Sequence, residues 1–251
     1  MITSGSGFED YVYEELPDHK AGIVRYEGDD QEVIVPATIN GLSVTTIQEH
    51  AFTATDAESV TVPEGVVTID TEAFAACDFL TVIHLPSTLQ TLGRGVFKGS
   101  DKLMGILFPE GNEKFYVEKG ALYNRSEHAL VCCPPGLLLK TFTVPKGTEK
   151  ISYGAFYSNQ LMNLVELPET LKKIEAEAFL FMPELHKIML PKSLEEIEPD
   201  AFILTPGLYA GKPFVIFAYF DTVGYQYAVD NKILVQPVFS EGMGAIWASF
   251  K

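Results

Sequence analysis

The chain has 251 residues, 47% hydrophobic and 21% charged: enough apolar material for one extended core, with no linker rich in Gly, Ser or Pro to divide it. Its 34 acidic residues outnumber 18 Lys and Arg, for a net charge of −16, which argues against nucleic acid as a partner because phosphates need clustered Lys and Arg. No stretch reaches the ~20 consecutive apolar residues of a membrane-spanning helix, and an odd count of 3 cysteines, two of them adjacent, makes no disulfide framework.

Residues 1–70 hold 14 of the acids against Lys20 and Arg25 alone, so charge is concentrated at one end. That end fits a solvated cap that keeps the molecule soluble, or a seat for a basic partner. From Val35 onward a repeat sets in. Pro63, Pro86 and Pro109 fall 23 residues apart, as do Pro145, Pro168 and Pro191; Phe74 and Phe97, then Phe156, Phe179 and Phe202, keep the same step. A period of 20 to 29 residues with leucine-like anchors is that of a leucine-rich repeat solenoid.

Two copies align without a gap, VPEGVVTIDTEAFAACDFLTVIH (62–84) and LPETLKKIEAEAFLFMPELHKIM (167–189). Around residue 83, Ile83 and Leu85 alternate with Val82 and His84, the period of a strand with one buried face. The proline that follows has no N–H and ends the ladder. Val66 and Ile69 mark a second apolar pair on the return side of the coil. The intervening segment, LGRGVFKG for example, is too short for an ordinary helix, so turns or short 3-10 pieces are expected. In the Ala-Phe pair the ring fills the middle of a coil and the alanine leaves room for the next ring. Three residues past each Phe stand Thr55, Cys77, Ser100, Asn159, Met182 and Thr205, a column expected to hydrogen-bond turn backbone that stacking would bury. Cys77 then reads as a ladder residue rather than a nucleophile. Together these features predict a single right-handed stack of about seven or eight coils of parallel strands, with the five Phe rings buried in one file.

These residues, above all IDTEAFAACDFLTVIHLPSTLQTLG, resemble the BspA-type leucine-rich repeats of bacterial surface proteins. Pro109 and Pro145 are separated by 36 residues, one repeat plus 13, and the resemblance implies that the extra part is an inserted hairpin over 110–143. It also implies an opening hairpin and first coil over 8–47, repeats over 48–109 and 144–212, and a C-terminal cap over 213–251 in which VGYQYAVDNKILV forms a short helix and a strand. Function implied by the resemblance is non-enzymatic protein binding of an adhesion type, at the cell surface or secreted. The alternative is a structural, self-associating spacer in a surface assembly. Because MITSGSGFEDYVYEE lacks the regions of a signal peptide, and no cell-wall sorting motif stands near AIWASFK, a cytoplasmic location stays open beside the extracellular one.

No metal, cofactor or catalytic residue is expected. The five histidines show no metal-ligand pair spacing, and there is no nucleophile elbow, phosphate-binding glycine loop or calcium loop. His128, Cys132 and Cys133 in the insertion come nearest to a catalytic cluster but have no triad arrangement; on a strand, adjacent Cys132 and Cys133 point to opposite faces. A partner surface is the better expectation. Outward strand positions form two columns, Ser59, Val82, Gly105, Leu164, Lys187 and Thr61, His84, Leu107, Glu166, Met189. Val82, Leu107, Leu164 and Met189 are apolar where solvent is expected, so the candidate partner face comprises Val82, His84, Leu107, Leu164, Glu166, Lys187 and Met189. The other explanation for these apolar positions is strand propensity, or cover by a neighbouring element of the chain.

Overall fold

A three-residue strand that buries only its central side chain is stable only when stacked between others like it, and that requirement builds this molecule. The computed structural model describes residues 8–202 and 213–239; Thr205 and the segment 240–251 lie outside them. Those described wind into a β-solenoid of about nine coils with about 23 residues per turn. The count exceeds the expected seven or eight because the closing strands, Val215–Tyr219 and Leu234–Val238, stack in parallel on Lys187–Met189 as further coils.

Along one face run the parallel strands Glu32–Ile34, Ser59–Thr61, Val82–His84 and Gly105–Leu107, then the pair Thr141–Thr143 and Leu164–Glu166, then the closing three. Two-residue return strands such as Thr68–Ile69, Thr91–Leu92, Lys150–Ile151 and Lys173–Ile174 form the opposite side. At the N-terminal end Tyr11–Leu16 and Lys20–Tyr26 make an antiparallel hairpin that docks in parallel on Leu42–Ile47. The helix Val223–Asp230, capped by the Thr222 side chain accepting from the Tyr225 N–H, joins the last two strands.

Between the two sides the Ala-Phe corners are turns, and each Phe is flanked by left-handed residues two positions before and two after: Glu72 and Ala76 around Phe74, Gly95 and Gly99 around Phe97, Glu177 and Phe181 around Phe179. The rings are buried, but in two files rather than one. Tyr26, Phe52, Phe74 and Phe97 stack with centroids 5.4, 5.0 and 6.2 Å apart, and Phe156, Phe179 and Phe202 at 5.1 and 4.8 Å. Among the described residues no ring pair joins Phe97 to Phe156.

The polar column three residues past each Phe satisfies carbonyls of neighbouring coils. Cys77 Sγ–H donates to Phe52 O (3.0 Å), Ser100 Oγ to Phe74 O (2.7 Å) and Asn159 Nδ2 to Cys133 O (3.0 Å), while Cys77 N–H donates to Ser100 Oγ (3.1 Å). A second ladder lies in the turn after each proline. Thr88 Oγ1 accepts from Gly65 N and donates to Val66 O, Thr170 does the same for Gly147 N and Thr148 O, and Ser193 Oγ donates to Leu171 O.

What breaks the ring file is the insertion. It is a three-stranded antiparallel meander, Phe115–Glu118, Ala121–Asn124 and Ala129–Cys132, and its third strand pairs in parallel with Lys150–Ile151 to begin the return side of the second half. Lys119 and Gly120 form its two-residue turn, both at positive φ (51° and 81°), a conformation for which glycine is suited. Both faces of this meander are buried. Phe115, Leu122 and Cys132 join the core of the first half, whereas Ala121, Tyr123, Leu130 and Cys133 join that of the second. The continuous core implied by composition is therefore two cores with a β-sheet wall between them. Cys132 and Cys133 do point to opposite sides of that wall.

Candidate interaction surface

On the strand face the alternation has the expected register: Ile83, Ile106, Val165 and Ile188 are buried between outward neighbours. In the first half, Val82 pairs with Gly105 and His84 with Leu107. His84 and Leu107 stand in solvent and Val82 is half-buried, with Leu107 49% exposed and the in-column Ile34 66% exposed. Leu164 and Glu166 lie on the next sheet, opposite Thr141 and Thr143, both half-buried, and Thr143 Oγ1 donates to Glu166 (2.7 Å). Lys187 and Met189 lie on the closing sheet opposite Val215 and Phe217; Lys187 is half-buried and Met189 is buried. The seven candidate residues are thus spread over three sheet segments. The first break falls between Gly105–Leu107 and Thr141–Thr143, and the second between Leu164–Glu166 and Lys187–Met189; neither pair of strands is hydrogen-bonded as a ladder.

A column of corner residues occurs on both sides of the first break. Phe79, Lys102, Leu138 and Leu161 each stand three residues before a strand, and Phe79, Leu138 and Leu161 are exposed, Leu138 at 76%. After the insertion the chain returns against residues 102–104, where Gly136 N–H donates to Leu103 O (2.8 Å). A Cβ at Gly136 would sit 2.6 Å from Lys102 O, so only glycine permits this approach. The exposed Met104 completes an apolar edge running from Phe79 past Lys102 to Leu161, with Lys102 Nζ 4.6 Å above the Phe79 ring. The 23-residue step from Leu138 to Leu161 carries this ridge in the sequence, but attention to strand positions alone passes over it.

At the return side the two halves close on a small cavity of about 150 Å³ lined by Arg94, Lys98, Lys150, Tyr153, Tyr157 and Glu175. Its charges are spoken for. Lys98 Nζ donates to Tyr153 Oη (2.7 Å) and pairs with Glu177 (2.6 Å); Arg94 lies over the Tyr153 ring (4.6 Å) and reaches Glu198 (3.5 Å); Lys150 pairs with Glu175 (3.5 Å) and Glu127. Burial alone would lower the Lys98 ammonium pKa, but the Glu177 carboxylate and the Tyr153 hydroxyl outweigh it and raise it above the ordinary lysine value. This clasp ties the first half to the second across the wall. Glu198 also accepts from the Ala176 N–H, so its carboxylate reaches back over the preceding coil to meet Arg94.

A family model, the BspA type leucine-rich repeat region in 6 copies, matches residues 34–129 and 132–209. The chain belongs to the BspA-type leucine-rich repeat family. The gap in that match falls within the meander's third strand, where the second half begins. Among solved structures, a leucine-rich repeat protein of Eubacterium ventriosum is similar at 15% identity and a TM-score of 0.54, covering 82% of this chain and 69% of that one. A leucine rich cell surface protein of Faecalibacterium prausnitzii aligns at 16% identity (TM-score 0.39; 86% and 89% covered) and the pneumococcal vaccine antigen PcpA at 13% (0.43; 91% and 96%). No curated protein matches the chain.

In this BspA-type array the cysteines serve packing. Burial pushes the Cys132 thiol up to about 12 and the Cys133 thiol well above its ordinary value, with the neighbouring Cys132 adding to the latter; burial also raises Cys77, with partial relief from Thr55 and Ser100. Burial thus disfavours the thiolate, the form that attacks or binds metal. Among the described residues no group of three or more His, Cys, Asp or Glu is placed to hold a metal, and no helix is long and apolar enough to cross a membrane.

Proposed function

We propose that this protein is a non-catalytic binding module of adhesion type, acting at a bacterial cell surface or as a secreted protein, that recognises a folded protein partner. The observation that carries this reading is the exposed apolar side chains Phe79, Met104, Leu138 and Leu161 at the coil corners on both sides of the meander, together with exposed Leu107 and His84 on the strand face. Exposed apolar side chains that recur at the same corner position across a break in the repeat suit recognition of a protein, because scattered apolar side chains would need no such alignment. Half-buried Glu166 and Lys187 supply a polar margin, the usual arrangement around an apolar centre, and half-buried Val82 and Leu164 add apolar area.

The test is a binding screen against extracellular and cell-surface proteins, followed by Leu107→Asp and Leu138→Asp in any pair found. Each substitution should weaken binding at least about tenfold, equivalent to about 1.4 kcal/mol, with the melting temperature unchanged since neither side chain is core. Binding that ignores both substitutions would move the site off this surface. The alternative, a self-associating spacer, is favoured by one observation: among the described residues Leu234–Val238 is an edge strand whose first residue, Leu234, is exposed. Light scattering that shows oligomers growing with concentration would select that reading.

A further inference from the structure

We propose that a cavity between the meander and the first turn of the second half binds a tetrahedral oxyanion, the sulfate or phosphate group of an ester. Its volume is about 250 Å³; Tyr116, Asn124, Arg125, His128, Lys146 and Thr148 line it, and no carboxylate does. In a chain of net charge −16 such a lining stands out. Among the described residues Arg125, His128 and Lys146 make no ion pair, because the nearby carboxylates are engaged elsewhere. Glu127 takes Lys150 and the Asn124 amide, and Glu149 takes Lys172 (2.8 Å), with His128 acting on it only at longer range. The donors are also held in place. Arg125 lies 4.2 Å above the Tyr116 ring, itself stacked on Tyr123 at 5.1 Å, an arrangement that occupies the guanidinium face and leaves its N–H edge to donate. The turn that carries His128 is fixed by Asn124 Oδ1, which accepts from Ser126 Oγ (2.9 Å) and Glu127 N–H (3.2 Å).

Comparison with the other coils sets this turn apart. After the proline, where this coil has Lys146, others have Glu64, Ser87, Glu110 and Glu169; Lys192, the other lysine at that place, lies over the Tyr219 ring at 4.2 Å. Two residues further on, Val66, Leu89, Leu171 and Leu194 are buried core residues, and the equivalent Thr148 is only 5% exposed. Asn112 is polar at the same place, but its amide donates to Ser87 O and Leu89 O and accepts from two backbone N–H groups. The Thr148 hydroxyl has no hydrogen-bond partner among the described residues. A buried hydroxyl without a partner costs stability, and a ligand oxygen in the cavity would satisfy it. An ester sulfate or phosphate presents three free oxygens, one each for Arg125, His128 and Lys146, where a carboxylate presents two. The site uses none of the apolar corner residues, so its failure would leave the partner-binding reading intact.

Titration of the full chain with methyl sulfate and with methyl phosphate, followed by amide NMR shifts, tests the proposal. Saturable shifts should be confined to residues 124–128 and 146–148, with affinity at least about fivefold above that for acetate. Saturation by methyl sulfate alone makes a sulfated ligand the source, and by methyl phosphate alone a phosphorylated one; either supports the site. Lys146→Gln and Arg125→Gln should each weaken binding at least about fivefold, whereas Lys232→Gln, the same charge change just past the closing helix, should leave it unaltered. Thr148→Val should weaken binding while the melting temperature holds or rises, a combination that a purely structural threonine would not give. Shifts that never saturate, that scatter over lysines throughout the surface, or that acetate reproduces at equal affinity would overturn the proposal. So would binding unchanged in Lys146→Gln, or weakened as much by Lys232→Gln.

Discussion

Ala76 is an exposed alanine at φ 52°, a conformation in which an L side chain crowds the backbone. One coil on, the same position is Gly99 at φ 75°. The turn thus demands a left-handed residue in every coil and only some coils supply glycine. Ala76→Gly should therefore stabilise the protein by up to about 1 kcal/mol, part of the relieved strain being offset by glycine's greater freedom in the unfolded chain. Chemical denaturation of the two proteins checks it; a destabilised variant would show that the Ala76 methyl group contributes packing that outweighs its strain. At this scale the sequence was legible in one column and mute in another. Small polar residues three past each Phe announced their hydrogen bonds because stacking buries turn backbone. Glu72 and Glu177, left-handed two residues before each ring, gave no signal, since neither residue type marks positive φ.

Phe179 sits between Phe156 and Phe202 with both centroids near 5 Å, at 5.1 and 4.8 Å, whereas Phe97 ends its file 6.2 Å from Phe74 with the wall beyond. Removing the sandwiched ring leaves a void that two fixed coils cannot close, so Phe179→Ala should cost about 3–5 kcal/mol in urea denaturation. Phe97→Ala should cost less; equal losses would show that stacking on both sides adds nothing. The insertion explains why the file is divided. Its 13 surplus residues were visible in the proline spacing, and its likeness to an inserted hairpin was visible in the family pattern. Its role as a wall was not, because Phe115, Tyr116 and Val117 or Ala121, Leu122 and Tyr123 are apolar without alternation, and such a run leaves open whether one face or both are covered. The same limit applied to the partner face: register was legible from the period of two, but the burial of Met189 was not.

Across the whole molecule, carboxylates on the coil edges fasten successive turns. The Ser87 backbone N–H holds the Glu64 carboxyl below its ordinary range, and hydrogen bonds from Lys173 do the same for Glu198. A carboxylate with a depressed folded pKa contributes stability above the unfolded value, about 4, and loses it as pH falls through the folded value. Asp70 and Asp101, raised by burial, work the other way. Glu198→Gln should thus lower the melting temperature at neutral pH and give a shallower decline in acid than the wild type. Comparing the two proteins removes the relief of overall negative charge, which is common to both; parallel curves would mean that Glu198 is not coupled to folding.

The wall has a thermodynamic consequence. In a stack where each coil touches only its neighbours, cooperativity is passed along the array link by link, and between the two caps most links are repeats of the same interface. The exception is the meander, whose two faces engage separate cores and whose contacts are supplemented by the Arg94 and Lys98 clasp. Its coupling energy therefore governs whether the array melts in a single transition or as two domains in succession. It also lets evolution lengthen either half by whole coils without retuning the other.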